Sequence, residues 1–235
     1  MPRPASMIDR PVRAFAIAVC LALVACAPES DPPPTHAEAE KARLEAIAAR
    51  VEIMRDDFGV PHVYGKSDAD AVFGMLYAQA EDDFPRIERN YVWATGRLAE
   101  VEGEGAIFSD LRARLYMTKD EARAAYASAP DWLRALCDAW ADGLNYFLLT
   151  HPDVQPQLLT RFEPWMPMFF SEGSIGGDIE KIPLQRIADF YGGDDVQELI
   201  AAAEGVEREF APGGGSNGFA IAGERTRSGL SLIHI

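Results

Sequence analysis

The stretch PGGGSNGFAIA, residues 212–222, decides how the chain is interpreted, because it joins two regions of different character. Before it, apolar residues recur at helical spacing in several segments, and the clearest of these begins at Asp131. Within and after it, residues 219–222 and 230–235 have the apolar composition of short strands and flank a turn at residues 227–229. The chain is therefore predicted to be α+β: mostly helical, with the first strands of a sheet at its end.

Shorter patterns predict the remaining elements. Residues 51–55 and 60–64 have the composition of two strands around a turn, and Pro61 places the second at a sheet edge or at a bulge. Ser67 and Asp70 resemble a capping box and predict a helix that runs through Asp82. Further helices are predicted over residues 41–50, 179–191 and 195–203. The helix from Asp131 has an apolar stripe that we assign to the core: Leu133, Leu136, Trp140, Leu144 and Phe147.

The composition indicates a folded, acidic domain and argues against several classes of site. With 48% apolar residues, the 235-residue chain can build a sizeable core. Its formal net charge of −15 argues against nucleic acid as a partner, because phosphate backbones are bound by clustered basic faces. The sequence has no Walker loop, dinucleotide fingerprint or zinc-type Cys/His spacing, so no nucleotide cofactor is expected.

The N-terminus is predicted to be an export signal. Basic residues precede an apolar run from Ala14 to Val24, which is shorter than the roughly 20 residues of a membrane-spanning helix. The run is followed by Cys26, an arrangement that resembles a bacterial lipoprotein signal; cleavage at the neighbouring small residues without lipid is the alternative. We expect a signal peptide over residues 1–25, lipid on Cys26 as the only membrane anchor, and a periplasmic location. Proline-rich residues 26–40 would form a flexible tether.

Cysteine and histidine usage does not favour two common catalytic arrangements. Cys137 would be the cysteine that remains after processing, and its helical apolar surroundings predict a buried small side chain rather than a reactive thiol. The four histidines are too few and too scattered to favour a Ser-His-Asp triad. His62 is predicted to be structural and to bond the backbone of a turn.

Four segments resemble, in order, motifs of the penicillin and acyl-homoserine-lactone acylases, which are N-terminal-nucleophile hydrolases. They are RDDFGVPHVY (55–64), AQAED (78–82), EPW (163–165) and GSNGF (215–219). Each segment is weak evidence alone, and their shared order makes the resemblance specific. Asp83 departs from the family, which commonly has arginine at this position.

The resemblance implies that a precursor cuts itself at the Gly215–Ser216 bond and that Ser216 becomes the nucleophile. This chemistry is consistent, because cleavage frees an α-amino group with a pKa of about 8 that can serve as the base for its own hydroxyl. Glycines 213–215 permit the strained backbone that such a cut requires. A plain flexible linker is the alternative interpretation of these glycines.

The same resemblance implies a domain organisation. Residues 41–204 would form a helical α-chain region, residues 205–215 a processing linker, and residues 216–235 the start of a β chain. The strands at this end would be the first of an αββα sheet that the chain does not complete, since two strands alone are marginally stable. The expected product of processing is an αβ heterodimer. The 235-residue chain alone is expected to be inactive, because the resemblance places the oxyanion hole further along the β chain.

The resemblance also suggests where a substrate and a metal would bind. An apolar cluster is the candidate acyl pocket, with ordinary loop packing as the alternative: Phe162, Trp165, Met168, Phe169 and Phe170, with Met166 among them. Some relatives bind a structural calcium ion. Asp178 is the nearest match by position, and Glu172 and Glu180 are alternatives.

The leading hypothesis is therefore an exported acylase that releases the acyl group of a small N-acyl substrate. Penicillin-type amides and acyl-homoserine lactones are both open as substrates. The rival is a non-catalytic lipoprotein that binds or scaffolds, in which the glycine-rich stretch is merely a loop.

Overall fold

The computed structural model describes residues 34–169, 182–191 and 199–201, and the backbone of residues 219–221 and 232–234. It divides the chain into two compact units, Met1–Ala39 and Glu40–Ile235. The helices are α1 His36–Ala48, α2 Asp68–Ala94, α3 Ala99–Glu102, α4 Ile107–Tyr116, α5 Lys119–Ser128, α6 Asp131–Thr150 and α7 Leu184–Tyr191. The strands are β1 Val51–Arg55, β2 Pro61–Gly65, β3 Phe219–Ile221 and β4 Leu232–His234, and short 3₁₀ turns cover Glu104–Ala106 and Met166–Phe169. The prediction of a mostly helical chain with a few strands is confirmed.

Helix α1 begins at His36 rather than at Lys41, within the stretch predicted to be a tether. The reason is a cap just before it. The Thr35 backbone N–H donates to Glu38 Oε2 at 2.8 Å, and the Glu38 backbone N–H donates back to Thr35 Oγ1 at 3.3 Å. This reciprocal arrangement satisfies two N–H groups that a helix start leaves unpaired.

Strands β1 and β2 form an antiparallel hairpin that packs on helix α2. Val51 pairs with Gly65 and Arg55 with Pro61, so β2 begins at the proline, where no ladder donor is needed. The hairpin lies so close to α2 that a Cβ atom on Gly74 would come within 2.5 Å of Val51 Cγ1. The predicted pairing of these segments is confirmed.

The main core lies between helices α2 and α6. Trp140, Leu144 and Phe147 of the predicted stripe are buried there, whereas Leu133 and Leu136 are half-buried nearer the start of α6. The two helices approach closely at Gly143, where a Cβ atom would come within 2.5 Å of the Phe73 carbonyl oxygen. Buried side chains of α2 and of the segment after α6 complete this core, among them Leu76, Phe84, Leu159 and Phe162.

Helix α7 begins at Leu184. The pattern predicted a helix from Ile179; residues 182 and 183 are described and are not helical, and residues 179–181 lie outside the described part of the chain. Pro183 explains the difference, because proline disfavours helical backbone at the residue before it. Leu184, Ile187 and Ala188 are buried in a second small core that also contains Phe108 of α4. Of the predicted helix over 195–203, residues 199–201 are described, and they are helical.

Strands β3 and β4 pair antiparallel, with Phe219 opposite His234 and Ile221 opposite Leu232. The prediction that the chain changes from helices to paired strands after residue 218 is confirmed for these segments. Within the described residues, no helix is both long enough and apolar enough to cross a membrane.

Candidate functional site

The residues predicted to carry the chemistry lie mainly outside the described part of the chain. Gly215, Ser216, Phe170 and Asp178 belong to this group, as does Cys26. Their roles therefore stay predictions. The described backbone comes closest to the predicted nucleophile at Phe219, where β3 begins.

Arg55 of the first motif segment contacts Glu81 of the second, 26 residues further along the chain, and so joins the two segments. Its guanidinium contacts two carboxylates of the AQAED segment: Nη2 lies 3.1 Å from Glu81 Oε2 and Nη1 lies 2.9 Å from Asp82 Oδ1. The same group donates to the carbonyl oxygens of Gly59, in the hairpin turn, and Ala78, in helix α2. One side chain thus fixes the turn of the hairpin against α2.

Asp56 organises the hairpin turn itself. Its Oδ1 accepts the backbone N–H groups of Phe58 and Val60, at 2.9 and 3.0 Å. The hydrogen bond from the Phe58 N–H has the largest effect and lowers the pKa of the Asp56 carboxyl; the Val60 N–H and the His62 ring lower it further. His62 Nε2 lies 3.4 Å from Asp56 Oδ2, so the expected backbone bond of this histidine is replaced by a contact with a carboxylate.

Asp83 marks a kink in helix α2, just after the AQAED segment. Its backbone is non-helical, with φ −159° and ψ 69°, and Pro85 follows two residues later. The Asp83 carboxylate accepts the backbone N–H of Arg86 at 3.2 Å and the Arg86 Nε–H at 2.8 Å. It is thus an N-cap for the second half of the helix. At this position the Asp83 carboxylate also forms a local ion pair with the Arg86 side chain.

Two polar side chains hold the segment that leads to the EPW motif. Glu88 is buried, and its carboxylate accepts three backbone N–H groups, those of residues 157, 158 and 159, at 2.7–3.0 Å. Asn145 of α6 makes two hydrogen bonds with the backbone of Phe162: its Nδ2–H donates to the Phe162 carbonyl oxygen, and its Oδ1 accepts the Phe162 N–H, both at 2.9 Å. Neither residue was singled out from the sequence, because a local pattern does not show which distant backbone a side chain will bind.

The structure separates the residues predicted to form an acyl pocket into two groups. Phe162 is 1% exposed and packs edge-on against Trp140, with ring centroids 5.7 Å apart, so it belongs to the core. Met168 is partly buried against the same core. Trp165 and Phe169 pack against each other with centroids 6.0 Å apart. These two residues also line a cavity.

That cavity, which we call the Trp165 cavity, has a volume of about 260 Å³. Trp165, Met166 and Phe169 supply its apolar wall together with Leu159. Basic side chains stand over the indole: Lys119 Nζ lies 5.3 Å from the ring centroid, and Arg123 Cζ lies 5.4 Å from it. The pocket predicted from the aromatic cluster therefore has a physical counterpart at Trp165 and Phe169. Whether it holds an acyl group stays a prediction.

A second cavity of about 290 Å³ lies where α2 bends. Gln79 of the AQAED segment and Met75 form one side, and Tyr91 and Trp140 form the other. The Tyr91 and Trp140 rings are 4.6 Å apart. Burial raises the pKa of the Tyr91 hydroxyl well above its usual value, so this phenol stays protonated at neutral pH. A neutral buried phenol beside aromatic rings is a packing feature rather than a base.

The described residues provide no group of three or more His, Cys, Asp or Glu side chains that could hold a metal ion. The calcium position predicted at Asp178 lies outside them, as do Glu172 and Glu180. Cys137 is buried, as predicted, and burial raises the pKa of its thiol. This environment favours an inert protonated thiol.

Comparison with known sequences finds a protein family whose model matches the part of the chain that contains these features. Residues 50–234 match the family described as penicillin amidase. The matched range includes the Arg55 bridge, the Asp83 kink and the Trp165 cavity, and it continues across Gly215 and Ser216.

Individual relatives agree with this match. The chain is 27% identical to the acyl-homoserine lactone acylase QuiP of Pseudomonas aeruginosa, over 81% of this chain and 28% of that protein. It is 27% identical to the penicillin acylase 2 proenzyme of Pseudomonas sp. strain SE83, over 81% of this chain and 30% of the relative. The chain therefore spans less than a third of the length of these relatives.

A solved structure of similar sequence is the thermostable penicillin G acylase from Alcaligenes faecalis. It is 25% identical and covers 69% of this chain and 85% of its own, with a TM-score of 0.41. A score this low carries no argument about the fold.

Proposed function

Since the chain belongs to the penicillin amidase family, we propose that it is the front part of an acylase that hydrolyses a linear amide through Ser216. The observation that carries this proposal is the family match over residues 50–234, which includes the Gly215–Ser216 bond. Because the chain covers 28% of the P. aeruginosa relative, we propose the activity for a longer protein of which this chain is a part.

In the proposed mechanism, the precursor cuts itself before Ser216, and the new α-amino group takes the proton of the Ser216 hydroxyl. The serine oxygen attacks the amide carbonyl, the α-ammonium group returns the proton to the leaving amine as the carbon–nitrogen bond breaks, and water then hydrolyses the acyl-serine ester to release the carboxylic acid. The two chains remain together as a heterodimer. The start of β3 at Phe219 supports this assignment, because Ser216 precedes Phe219 by three residues in the sequence and backbone pairing of a nearby strand can help to hold a nucleophile in position.

The proposed substrate is a small N-acyl compound. The names of the similar proteins suggest two classes, acyl-homoserine lactones for QuiP and penicillins for the Pseudomonas sp. enzyme. The apolar wall of the Trp165 cavity is compatible with either class of acyl group. We therefore propose the reaction, release of a carboxylic acid from an N-acyl amine, without choosing between the leaving groups.

The reaction is tested with the full-length parent, expressed with its export signal, and its Ser216→Ala variant. A sulfonyl fluoride should label Ser216 of the processed protein, as read from the mass of the peptide that begins at Ser216, and should leave the variant unlabelled. Processed protein should also release free amine from a penicillin or from an acyl-homoserine lactone. Folded, processed protein that takes up no label at Ser216 would contradict the proposal.

We also propose that the protein is exported and anchored in the periplasm by lipid on Cys26. The support is the sequence alone: an apolar run followed by a cysteine in a lipoprotein-like position. Cys26→Ser should shift the exported protein from the detergent phase to the aqueous phase in a phase-separation assay, and the diacylglyceryl mass on the N-terminal peptide should disappear. A detergent-phase protein whose N-terminal peptide carries no lipid would contradict this anchor.

A further inference from the structure

Helix α1 ends at Ala48, before the region 50–234 that matches the family. The family match therefore does not cover this helix. The helix is nevertheless packed into the body of the chain, because Leu44 is 2% exposed and lies in a small core with Phe73 of α2 and Ala139 of α6. Burial of this apolar side chain anchors α1 against the two main helices.

Charged side chains of α1 form a continuous network with α6 and with the segment that leads to the EPW motif. Arg43 makes a two-pronged ion pair with Asp142 of α6, with Nη1 2.6 Å from Oδ2 and Nη2 2.7 Å from Oδ1. The same guanidinium lies 3.4 Å from Glu40 Oε1. That oxygen also accepts a hydrogen bond from Arg161 Nη2 at 3.1 Å, and Arg161 Nε lies 3.6 Å from Glu163 Oε1. Charges of alternating sign thus connect α1 with a segment 121 residues further along the chain.

This network differs from an isolated surface ion pair. An exposed pair contributes little by itself, whereas a two-pronged Arg–carboxylate pair or a network of charges contributes measurably. The Asp142 and Glu40 side chains are 13% and 22% exposed. Burial raises the pKa of the Glu40 carboxyl, but the hydrogen bonds and charges of Arg161 and Arg43 outweigh burial and lower this pKa. Glu40 is therefore ionised at neutral pH and links the two arginines.

The far end of the network lies at the Trp165 cavity. Arg161 and Glu163 line this cavity together with residues 158–160 of the same segment. The carboxylate of Glu40 thus holds a side chain of the cavity wall. Loss of this carboxylate would leave the wall segment without its contact to α1.

We propose that helix α1 is a strap and that Glu40 is a positioning residue, which holds the wall segment, residues 158–163, in place through Arg161. The effect on the wall does not depend on any chemistry at Ser216. The effect on a substrate rests on the proposed function, because it assumes that the substrate contacts this wall.

The strap is tested by hydrogen–deuterium exchange of the full-length parent carrying Ser216→Ala. The reporter is the backbone N–H of Phe162, which is bonded to Asn145 Oδ1 at 2.9 Å. Glu40→Gln removes the charge that links α1 to Arg161. We expect exchange at Phe162 to become about three- to fivefold faster, because the wall segment opens more often when the network is broken. Exchange in the core of α6 should stay as it was.

The matched control is Glu45→Gln in the same helix. The Glu45 side chain is 54% exposed and pairs with Lys41 of its own helix, so its loss should change the exchange of the wall segment less than about 1.5-fold. In an Arg161→Gln background, Glu40→Gln should have little further effect, because the two changes remove the same contact. Sodium chloride at about 1 M, which shortens the Debye length to about 3 Å, should speed exchange at Phe162 when Glu40 is present and less in Glu40→Gln.

A second measurement uses the processed parent with Ser216 intact. Glu40→Gln should raise KM about threefold and leave kcat within about twofold, because the wall contributes to binding and not to bond breaking. Glu45→Gln should change neither constant.

Equal exchange at Phe162 with and without Glu40→Gln would overturn the strap, as would acceleration that spreads through the core of α6. An effect of Glu40→Gln that is just as large in the Arg161→Gln background would also overturn it. Unchanged KM in an active parent would overturn the positioning role. A parent without amidase activity would contradict the proposed function instead, and the exchange measurement, made without Ser216, would still decide the strap.

Discussion

Arg55 Nη2 lies 3.1 Å from Glu81 Oε2, and this ion pair fastens the β1–β2 hairpin to helix α2. The guanidinium also bonds Asp82 and the carbonyl oxygens of Gly59 and Ala78. One guanidinium thus contacts four oxygen acceptors and holds the two motif segments together. Among the described residues, the contacts of Arg55 are with the hairpin turn and helix α2, so they belong to the framework of the fold.

Arg55→Met should therefore destabilise the chain more than loss of an ordinary surface charge. We expect a decrease of about 1–2 kcal/mol in the free energy of unfolding, because bonds to a charged donor are lost and acceptors are left without it. Arg86→Met, which removes an exposed pair three residues from its partner, should cost less than about 1 kcal/mol. Urea unfolding measures both, and equal losses would argue against a special role for Arg55.

Glu88→Ala should be the most damaging single change in the loop that precedes the EPW motif. It would leave three backbone N–H groups without their acceptor, that of Leu159 in a buried position, at a cost of about 3 kcal/mol. Glu88→Gln keeps one acceptor oxygen and should lose less. The midpoint of urea unfolding should fall in the order native, Gln, Ala. A midpoint for the Ala variant close to that of the native chain would contradict this account.

The kink of helix α2 depends on the cap at Asp83. Asp83→Ala should cost about 1 kcal/mol, since the Arg86 N–H loses its acceptor. Asp83→Asn should cost much less, because asparagine caps helices nearly as well as aspartate. Thermal unfolding of both variants makes the comparison. Similar losses for Ala and Asn would indicate that the ion pair with Arg86, rather than the cap, is what matters.

Acid should weaken the contact between helix α2 and Arg50, which lies in the turn after α1. Hydrogen bonds from Arg50 hold the pKa of the Asp70 carboxyl below its ordinary value of 3.8. A carboxyl whose pKa is lowered on folding stabilises the protein above its unfolded pKa, and the contribution is lost as the pH falls through the folded pKa. Asp70→Asn should thus be less stable than the native chain at pH 7, and the difference should shrink below about pH 4.

The matched control for this pH dependence is Asp120→Asn, because the Asp120 side chain is 95% exposed. Its difference from the native chain should stay small and nearly flat between pH 3 and 7. A difference for Asp70→Asn that does not change with pH would show that its effect comes from packing and not from the charge.

The sequence predicted the helical body and both strand pairs because these follow from local periodicity and turn residues. It did not predict the first residues of α1 and α7, His36 and Leu184, although the signals were present in the Thr35–Glu38 cap and in Pro183. The sequence alone did not predict contacts between distant segments. Glu88 bonds backbone about 70 residues away, and no local pattern distinguishes it from a surface glutamate.

In the candidate site, too, the local composition was predictable from the sequence and the contacts between distant residues were not. An aromatic cluster near residue 165 could be seen in the sequence, but its separation into the core residue Phe162 and the cavity residues Trp165 and Phe169 depends on which helix each ring faces. Lys119 was not singled out at all. It becomes notable only because folding brings the start of α5 over the Trp165 ring.

The central claim is that Ser216 is freed by self-cleavage. It is tested most directly by the intact mass and N-terminal sequence of the full-length parent, expressed with its export signal beside Ser216→Ala. The account predicts two chains for the parent, the second beginning Ser216-Asn217-Gly218, and one uncut chain for the variant. A parent that folds but remains a single chain would contradict the claim, as would a Ser216→Ala variant that is still cut at the same bond.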